Sequence, residues 1–309
     1  MTAMNEAQLE TSDGVRMFSR RGLTIAAVAA VAALFTGTTS VAVAAERVRY
    51  VALGDSYTSG PFIPLMRLDP LGCARSTNNY PSLLSRKLKP ASFTDVSCGG
   101  AATANMTTSQ SVPLGTNPPQ FAALRADTDL VTIGIGGNDF TLFGTLIDTC
   151  PKLRASDPAG NPCQRNFTVD GVDTMKVTAA KIRPRITAVL AGIHARSPRA
   201  TVLAIGYPRI APATGTCPDL PFAAGDYAWL SSIEEALNAA VSDAVADDGA
   251  SSYVDIFTPS LGHDACAGGA AWINGKDLNI LAAANYHPFR AGMEGVANVT
   301  YRALAAARR

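Results

Sequence analysis

Short apolar runs alternate with helical patterns along most of this sequence, and that alternation restricts the fold more than any other feature. The strand-like runs lie at 47–53, 93–97, 130–133, 200–205 and 251–256. Between and after them, residues 80–88, 119–126, 172–196, 226–246 and 294–306 carry helical signals, with Pro184 expected to kink or break the helix over 172–196. The segment 150–166 is rich in Pro, Gly, Asp and Asn and reads as an irregular excursion. Strands separated by helices indicate βαβ units and a mostly parallel sheet covered on both faces. In such sheets ligands bind beyond the carboxyl ends of the strands. The unusual residues gather there: Asp55-Ser56, Gly99-Gly100 and Gly136-Gly137-Asn138-Asp139.

The first 44 residues are of another kind. Arg16, Arg20 and Arg21 precede an apolar, Ala-rich run, and Ala42-Val43-Ala44 fits a small-residue cleavage site. These features predict an export signal over 1–44, with a twin-arginine route as one option, and a single domain over 45–309. No later stretch has the roughly 18 apolar residues that a membrane helix needs. All six Cys lie after the signal: Cys73, Cys98, Cys150, Cys163, Cys217 and Cys266. An even count in an exported chain reads as a disulfide set, although six Cys allow 15 pairings. Their spacing does not suit metal ligation.

Lys and Arg number 26 against 25 Asp and Glu, a net charge of +1. That balance excludes the basic footprint of a nucleic-acid binder. The glycine pattern at 134–139 is not G-x-G-x-x-G, and no G-x-x-x-x-G-K-[ST] occurs, which argues against a nucleotide cofactor. No cofactor is expected.

Four short blocks can carry chemistry. Gly54-Asp55-Ser56 places a hydroxyl at a strand end, where a following helix start stabilises negative charge. Gly99-Gly100 lets backbone approach a ligand closely. Asn138 offers an amide donor for an oxyanion. His287-Pro288 holds an imidazole on extended backbone before the last helix. Each block alone also reads as an ordinary cap or turn. Of the other histidines, His194 reads as a surface residue and His263 as part of a disulfide-tied loop.

In that order the four blocks resemble those of the SGNH (GDSL-type) hydrolase family. The six Cys and the Gly262-His263-Asp264-Ala265-Cys266 stretch are similar to its secreted actinobacterial, three-disulfide branch of lipases and esterases. The resemblance implies a three-layer, flavodoxin-like α/β/α fold and a serine ester hydrolase. It implies Ser56 as nucleophile and His287 as general base. The Ser56 N–H, the Gly100 N–H and the Asn138 amide would form the oxyanion hole. The family often has an Asp three residues before the histidine, and here that position is Ala284. A Ser–His dyad is therefore expected, with a backbone carbonyl near Ala284 orienting the ring and Asp264 or Asp255 as rival acids. Asp55 and Asp139 are expected to be structural partners.

The expected disulfides are sequential: Cys73 with Cys98, Cys150 with Cys163, Cys217 with Cys266. The apolar loop from Pro61 to Met66 is either one wall of an acyl pocket or ordinary packing. The expected substrate is an acyl ester or lipid, turned over by a monomer outside the cell. Phospholipase or carbohydrate deacetylase activity on the same site is the alternative, and a non-catalytic binding protein is the remote one.

Overall fold

In the computed structural model, residues 47–307 are described. The expected export segment 1–44 lies outside them. Five strands form the central sheet: β1 (Arg49–Gly54), β2 (Ser92–Asp95), β5 (Leu130–Gly134), β8 (Thr201–Ile205) and β9 (Ser252–Val254). The hairpins β3–β4 (Gln110–Val112, Gly115–Asn117) and β6–β7 (Thr168–Val169, Val172–Asp173) stand apart from it. The sheet order is β2-β1-β5-β8-β9 and all four pairings are parallel. The chain thus starts inside the sheet, steps outward to β2, then returns to the other side of β1. Strand order reverses between β1 and β5, which is where such sheets open a crevice at their carboxyl ends.

Both faces are covered, as a parallel sheet requires. Alternate side chains point to opposite faces. Tyr50, Ala52, Leu130, Leu203 and Ile205 pack with Tyr80 and Leu84 of α2 (Tyr80–Leu88) and with Met293, Val296 and Leu304 of α8 (Arg290–Ala307). Val51, Leu53, Val131, Ile133, Val202 and Ala204 pack on the other face. That face is covered by α5 (Thr174–Ala180), α6 (Arg183–Arg196) and α7 (Tyr227–Asp248), with Ile186, Leu190, Leu237 and Val241 in the core. The fold is therefore the three-layer α/β/α arrangement expected. Its remaining helices are α1 (Ser56–Ser59), α3 (Leu142–Leu153) and α4 (Pro162–Asn166).

Two expectations are corrected and one is sharpened. Residues 172–196 hold β7 and then two helices, so the expected break is present, but it falls at Lys181 and Ile182 rather than at Pro184. Pro184 sits in the first turn of α6, where a missing N–H breaks no intrahelical bond. The segment 150–166 is largely helical, since α3 runs through Pro151 to Leu153 and α4 begins with Pro162. Only a 3₁₀ turn and residues 157–161 separate them. The helix expected over 119–126 is a single 3₁₀ turn, Gln120–Ala123.

The three disulfides pair as expected: Cys73–Cys98, Cys150–Cys163 and Cys217–Cys266. The first fastens the loop after α1 to the end of β2. Among the described residues no cluster of His, Cys, Asp or Glu suits a metal ion, and no helix is long and apolar enough to cross a membrane.

Candidate active site

Strand β1 delivers Ser56 directly into α1. The turn between them needs Gly54, whose φ is +150° and where a Cβ would lie 2.2 Å from Thr58 Oγ1. Asp55 caps the helix: its Oδ1 accepts from the Tyr57 N–H across 2.8 Å. Ser56 is thus the first helical residue rather than the cap. Its own N–H donates to no acceptor among the described residues, as befits the first turn of a helix.

Gly100 follows the end of β2, at φ +74°. The Gly99 N–H donates to the Cys73 carbonyl and the Ala101 N–H to that of Cys98, so the disulfide and these bonds hold the loop. The Gly100 N–H has no acceptor among the described residues. Asn138 follows β5. One hydrogen of its Nδ2 goes to the Ala101 carbonyl across 2.9 Å, which fixes the amide and leaves its second hydrogen free.

His287 arrives on a strap before α8. The strap is held by the Ala284 N–H on the Pro61 carbonyl and by the Asn274 N–H on the His287 carbonyl. The ring Nδ1 pairs with the Asn285 carbonyl across 2.7 Å. This moves the expected orienting carbonyl by one residue. The Ala284 carbonyl is taken instead by the His287 N–H and by Asn274 Nδ2, and the turn with Tyr286 at φ +59° brings the Asn285 carbonyl under the ring. Neither rival acid reaches the histidine: Asp264 accepts from Cys266 N–H and Asp255 from Thr258 N–H. Burial pushes the His287 pKa below its ordinary value, against the raising effect of the Asn285 carbonyl. With Nδ1 carrying the proton, Nε2 is left as the basic atom.

Ser56, Gly100, Asn138 and His287 line one cavity of about 310 Å³. The Ser56 hydroxyl and the ring are not hydrogen-bonded to each other; such contacts commonly tighten only when substrate is bound. The remaining wall is apolar, from Pro61, Phe143, Ile147, Ile210 and Tyr286. Of the expected apolar loop only Pro61 lines this cavity. Ile63 is instead buried under α2 and α8, and Leu65 is exposed. Helix α3 contributes Phe143 and Ile147 to this wall, four residues apart on one face, beside Gly144.

Sequence reasoning missed the aromatic support. Tyr57 stands beside the His287 ring, centroids 5.1 Å apart, and its hydroxyl donates to the Tyr286 carbonyl. Tyr207 follows β8 and bonds both Asp55 and the Gly137 N–H. Its place just past the fourth strand was the available signal, the same signal that marked the other blocks. Asp139 is structural: it accepts from Thr103 and is paired with Arg185. His194 pairs with Asp248, and His263 stacks on Trp272 with Nδ1 on the Ala270 carbonyl, away from the cavity lining.

A hydroxyl, a neutral imidazole and unengaged N–H donors around one apolar cavity at a topological switch point are the furniture of an ester hydrolase. Similarity to known proteins agrees. Residues 52–294 match the GDSL-like Lipase/Acylhydrolase family. Lipase 2 of Streptomyces coelicolor is 41% identical over 260 residues, covering 81% of this chain and 85% of that one. The crystal structure of phospholipase A1 from Streptomyces albidoflavus NA297 superposes with a TM-score of 0.69 at 28% identity, over 84% of this chain and 99% of that one. An extracellular lipase from Streptomyces rimosus gives 0.64 at 28% identity, over 83% and 99%. The chain belongs to the GDSL-like lipase/acylhydrolase family and is a carboxylic ester hydrolase.

Proposed function

We propose that this chain is an exported lipase or esterase that cleaves acyl esters through a Ser56–His287 dyad. The observation that carries the reading is convergence: a serine, an unpaired imidazole nitrogen and three unengaged N–H groups meet at one apolar cavity. His287 Nε2 takes the Ser56 proton as Oγ attacks the acyl carbon. The resulting oxyanion is held by the Ser56 N–H, the Gly100 N–H and Asn138 Nδ2, donors of a kind worth roughly 3–4 kcal/mol each. His287 returns the proton to the leaving alcohol. Water, deprotonated by the same nitrogen, then attacks the acyl carbon, and the imidazolium returns that proton to Ser56 Oγ as the acid leaves. The Asn285 carbonyl keeps the ring in the required tautomer, with less stabilisation of the imidazolium than a carboxylate gives. All these groups come from one chain.

Export through residues 1–44 is supported by the three disulfides, which belong to oxidising compartments, and by the extracellular origin in the rimosus lipase's description. The similarity to a phospholipase A1 adds phosphoglycerides to the substrates worth assaying. The test is hydrolysis of p-nitrophenyl esters of increasing acyl length, and of a phospholipid, by oxidised protein beside Ser56→Ala. Turnover that falls by several orders of magnitude in the variant supports the dyad. Equal turnover in both proteins overturns it.

A further inference from the structure

We infer that Gln110 is a positioning residue for the proposed oxyanion hole and acts through the peptide between Gly99 and Gly100. Gln110 Nε2 donates to the Gly99 carbonyl across 2.7 Å. That carbonyl and the Gly100 N–H belong to one planar peptide, so a bond at one edge sets the direction of the other. A peptide flanked by two glycines is the least restrained kind, because neither residue has a Cβ to limit its rotation. The neighbouring bonds do not fix this plane. The Gly99 N–H and the Ala101 N–H anchor the peptides on either side, through Cys73 and Cys98. Among the described residues the Gly99 carbonyl accepts no bond other than that from Gln110.

The side chain is placed for this one contact. Gln110 opens the hairpin β3–β4 opposite Asn117. Asn117 is buried and tied down, accepting from Arg75 and donating to the Val96 carbonyl. The hairpin is thereby fastened beside the end of β2, and Gln110 reaches from it to Gly99. Its Oε1 is buried with no partner. Turning the amide over would set that oxygen against the Gly99 carbonyl, so the bond to Gly99 is what fixes the orientation. A donor on the carbonyl also polarises the peptide and strengthens its N–H as a donor. The detached hairpin thereby aims and sharpens the Gly100 N–H.

The inference rests on the reading of Gly100 as an oxyanion donor. Loss of the bond frees the peptide to rotate while leaving the apolar cavity intact, so it acts on kcat and not on KM. The test compares wild type with Gln110→Met, which keeps length without a donor, and Gln110→Glu, which sets a carboxylate against the carbonyl. Each is assayed on a p-nitrophenyl ester and titrated with an alkyl boronic acid, whose tetrahedral adduct with a serine presents an anionic oxygen. The expected result for Gln110→Met is a kcat lower by about 10–100-fold, below the roughly 10²–10³ of deleting a donor outright. KM stays within about threefold, and boronate affinity falls in step with kcat. Gln110→Glu is the more impaired. If folded variants keep kcat and boronate affinity within about twofold of wild type, the inference is overturned while the dyad stands. If neither variant folds, as read by circular dichroism, Gln110 is structural and the positioning role is overturned. If wild type neither turns over esters nor binds the boronate, the reading of the site itself fails.

Discussion

The Tyr207 hydroxyl donates to the Asp55 carboxylate across 2.5 Å, and the Gly137 N–H donates to that same hydroxyl across 2.9 Å. One phenol thus joins the cap of α1, beside Ser56, to the loop that carries Asn138. Its ring meets Tyr57 and Phe143 edge-on, so its position is set by packing as well as by these bonds.

Tyr207→Phe keeps the ring and removes both bonds. The Asp55 Oδ2 and the Gly137 N–H are then buried without a partner, a loss of about 1–3 kcal/mol. Denaturant unfolding is expected to register it. A fall in kcat of about tenfold, at steady KM, should accompany it, because the proposed nucleophile Ser56 and the Asn138 loop lose their common strut. Unchanged stability and unchanged kcat would show that the strut is dispensable.

Burial pushes the Asp55 carboxyl from 3.8 up to about 7, and that of Glu234 up to about 8. The folded protein therefore holds these protons in a range where the unfolded chain has released them. Stability from this source is present at low pH and lost as pH rises, from 3.8 toward about 7 for Asp55 and from 4.5 toward about 8 for Glu234, with a slope of at most about 1.4 kcal/mol per pH unit for each group. Between pH 5 and pH 7, Asp55→Asn should lose less stability than wild type in urea unfolding. Equal losses in the two proteins would refute the buried-proton account.

In the proposed dyad His287 must be neutral to accept a proton, and burial holds its pKa below the ordinary 6.5. The lowered value extends the neutral form to more acid conditions. The acid limb of kcat/KM against pH should therefore fall off below pH 6.5. A limb centred above that value would mean that the ring is charged more readily than its surroundings allow.

How much of this is legible in the sequence follows from locality. The β1 turn, Asn138 and His287 can be read because strand ends carry Gly, Asn or Pro with local conformational meaning. Glycine, too, is visible at Gly99-Gly100. Helix α2 is legible to its ends because Pro81 sits in its first turn and Pro90 lies just past its last residue. What escapes such reading depends on residues far apart in the chain. Gln110 and Phe143 carry no local signal of their roles, which arise only when the hairpin and α3 meet the switch point, and Tyr207 has only its place past the end of β8. The orienting carbonyl shifts from Ala284 to Asn285 because of a left-handed residue, Tyr286, which nothing in its side chain announces.

The Cys73–Cys98 bridge closes a 25-residue separation next to Gly100, whereas Cys217–Cys266 ties two loops over 49 residues. Chain-entropy arguments give each about 2–4 kcal/mol. They differ in what they hold. Replacing Cys73 and Cys98 together by Ala should lower kcat beyond its effect on stability, since the residue-73 carbonyl that accepts from the Gly99 N–H is no longer tied covalently to the Gly100 loop. Replacing Cys217 and Cys266 should lower stability with kcat near wild type at temperatures where the fold persists. If both pairs change kcat in proportion to the fraction unfolded, the first bridge has no special hold on the site.

Gly144 lines the cavity, and a Cβ built on it meets nothing within 4 Å. It sits in α3 between Phe143 and Ile147, in ordinary helical backbone. A Cβ there meets no neighbour, and replacing Gly in a helix with a good helix former is stabilising by roughly 0.5–1 kcal/mol. The new side chain projects from the same helix that walls the acyl-sized space, so it shortens that space without touching Ser56 or His287. Gly144→Leu should raise the thermal midpoint, leave p-nitrophenyl acetate hydrolysis near wild type and reduce hydrolysis of the decanoate. The measurement is the ratio of kcat/KM for the two esters, which cancels any change in the amount of active protein. A ratio equal to that of wild type would place the acyl chain elsewhere, toward Pro61 and the exposed loop beyond it, and would favour the pocket-wall reading of that loop over the packing one.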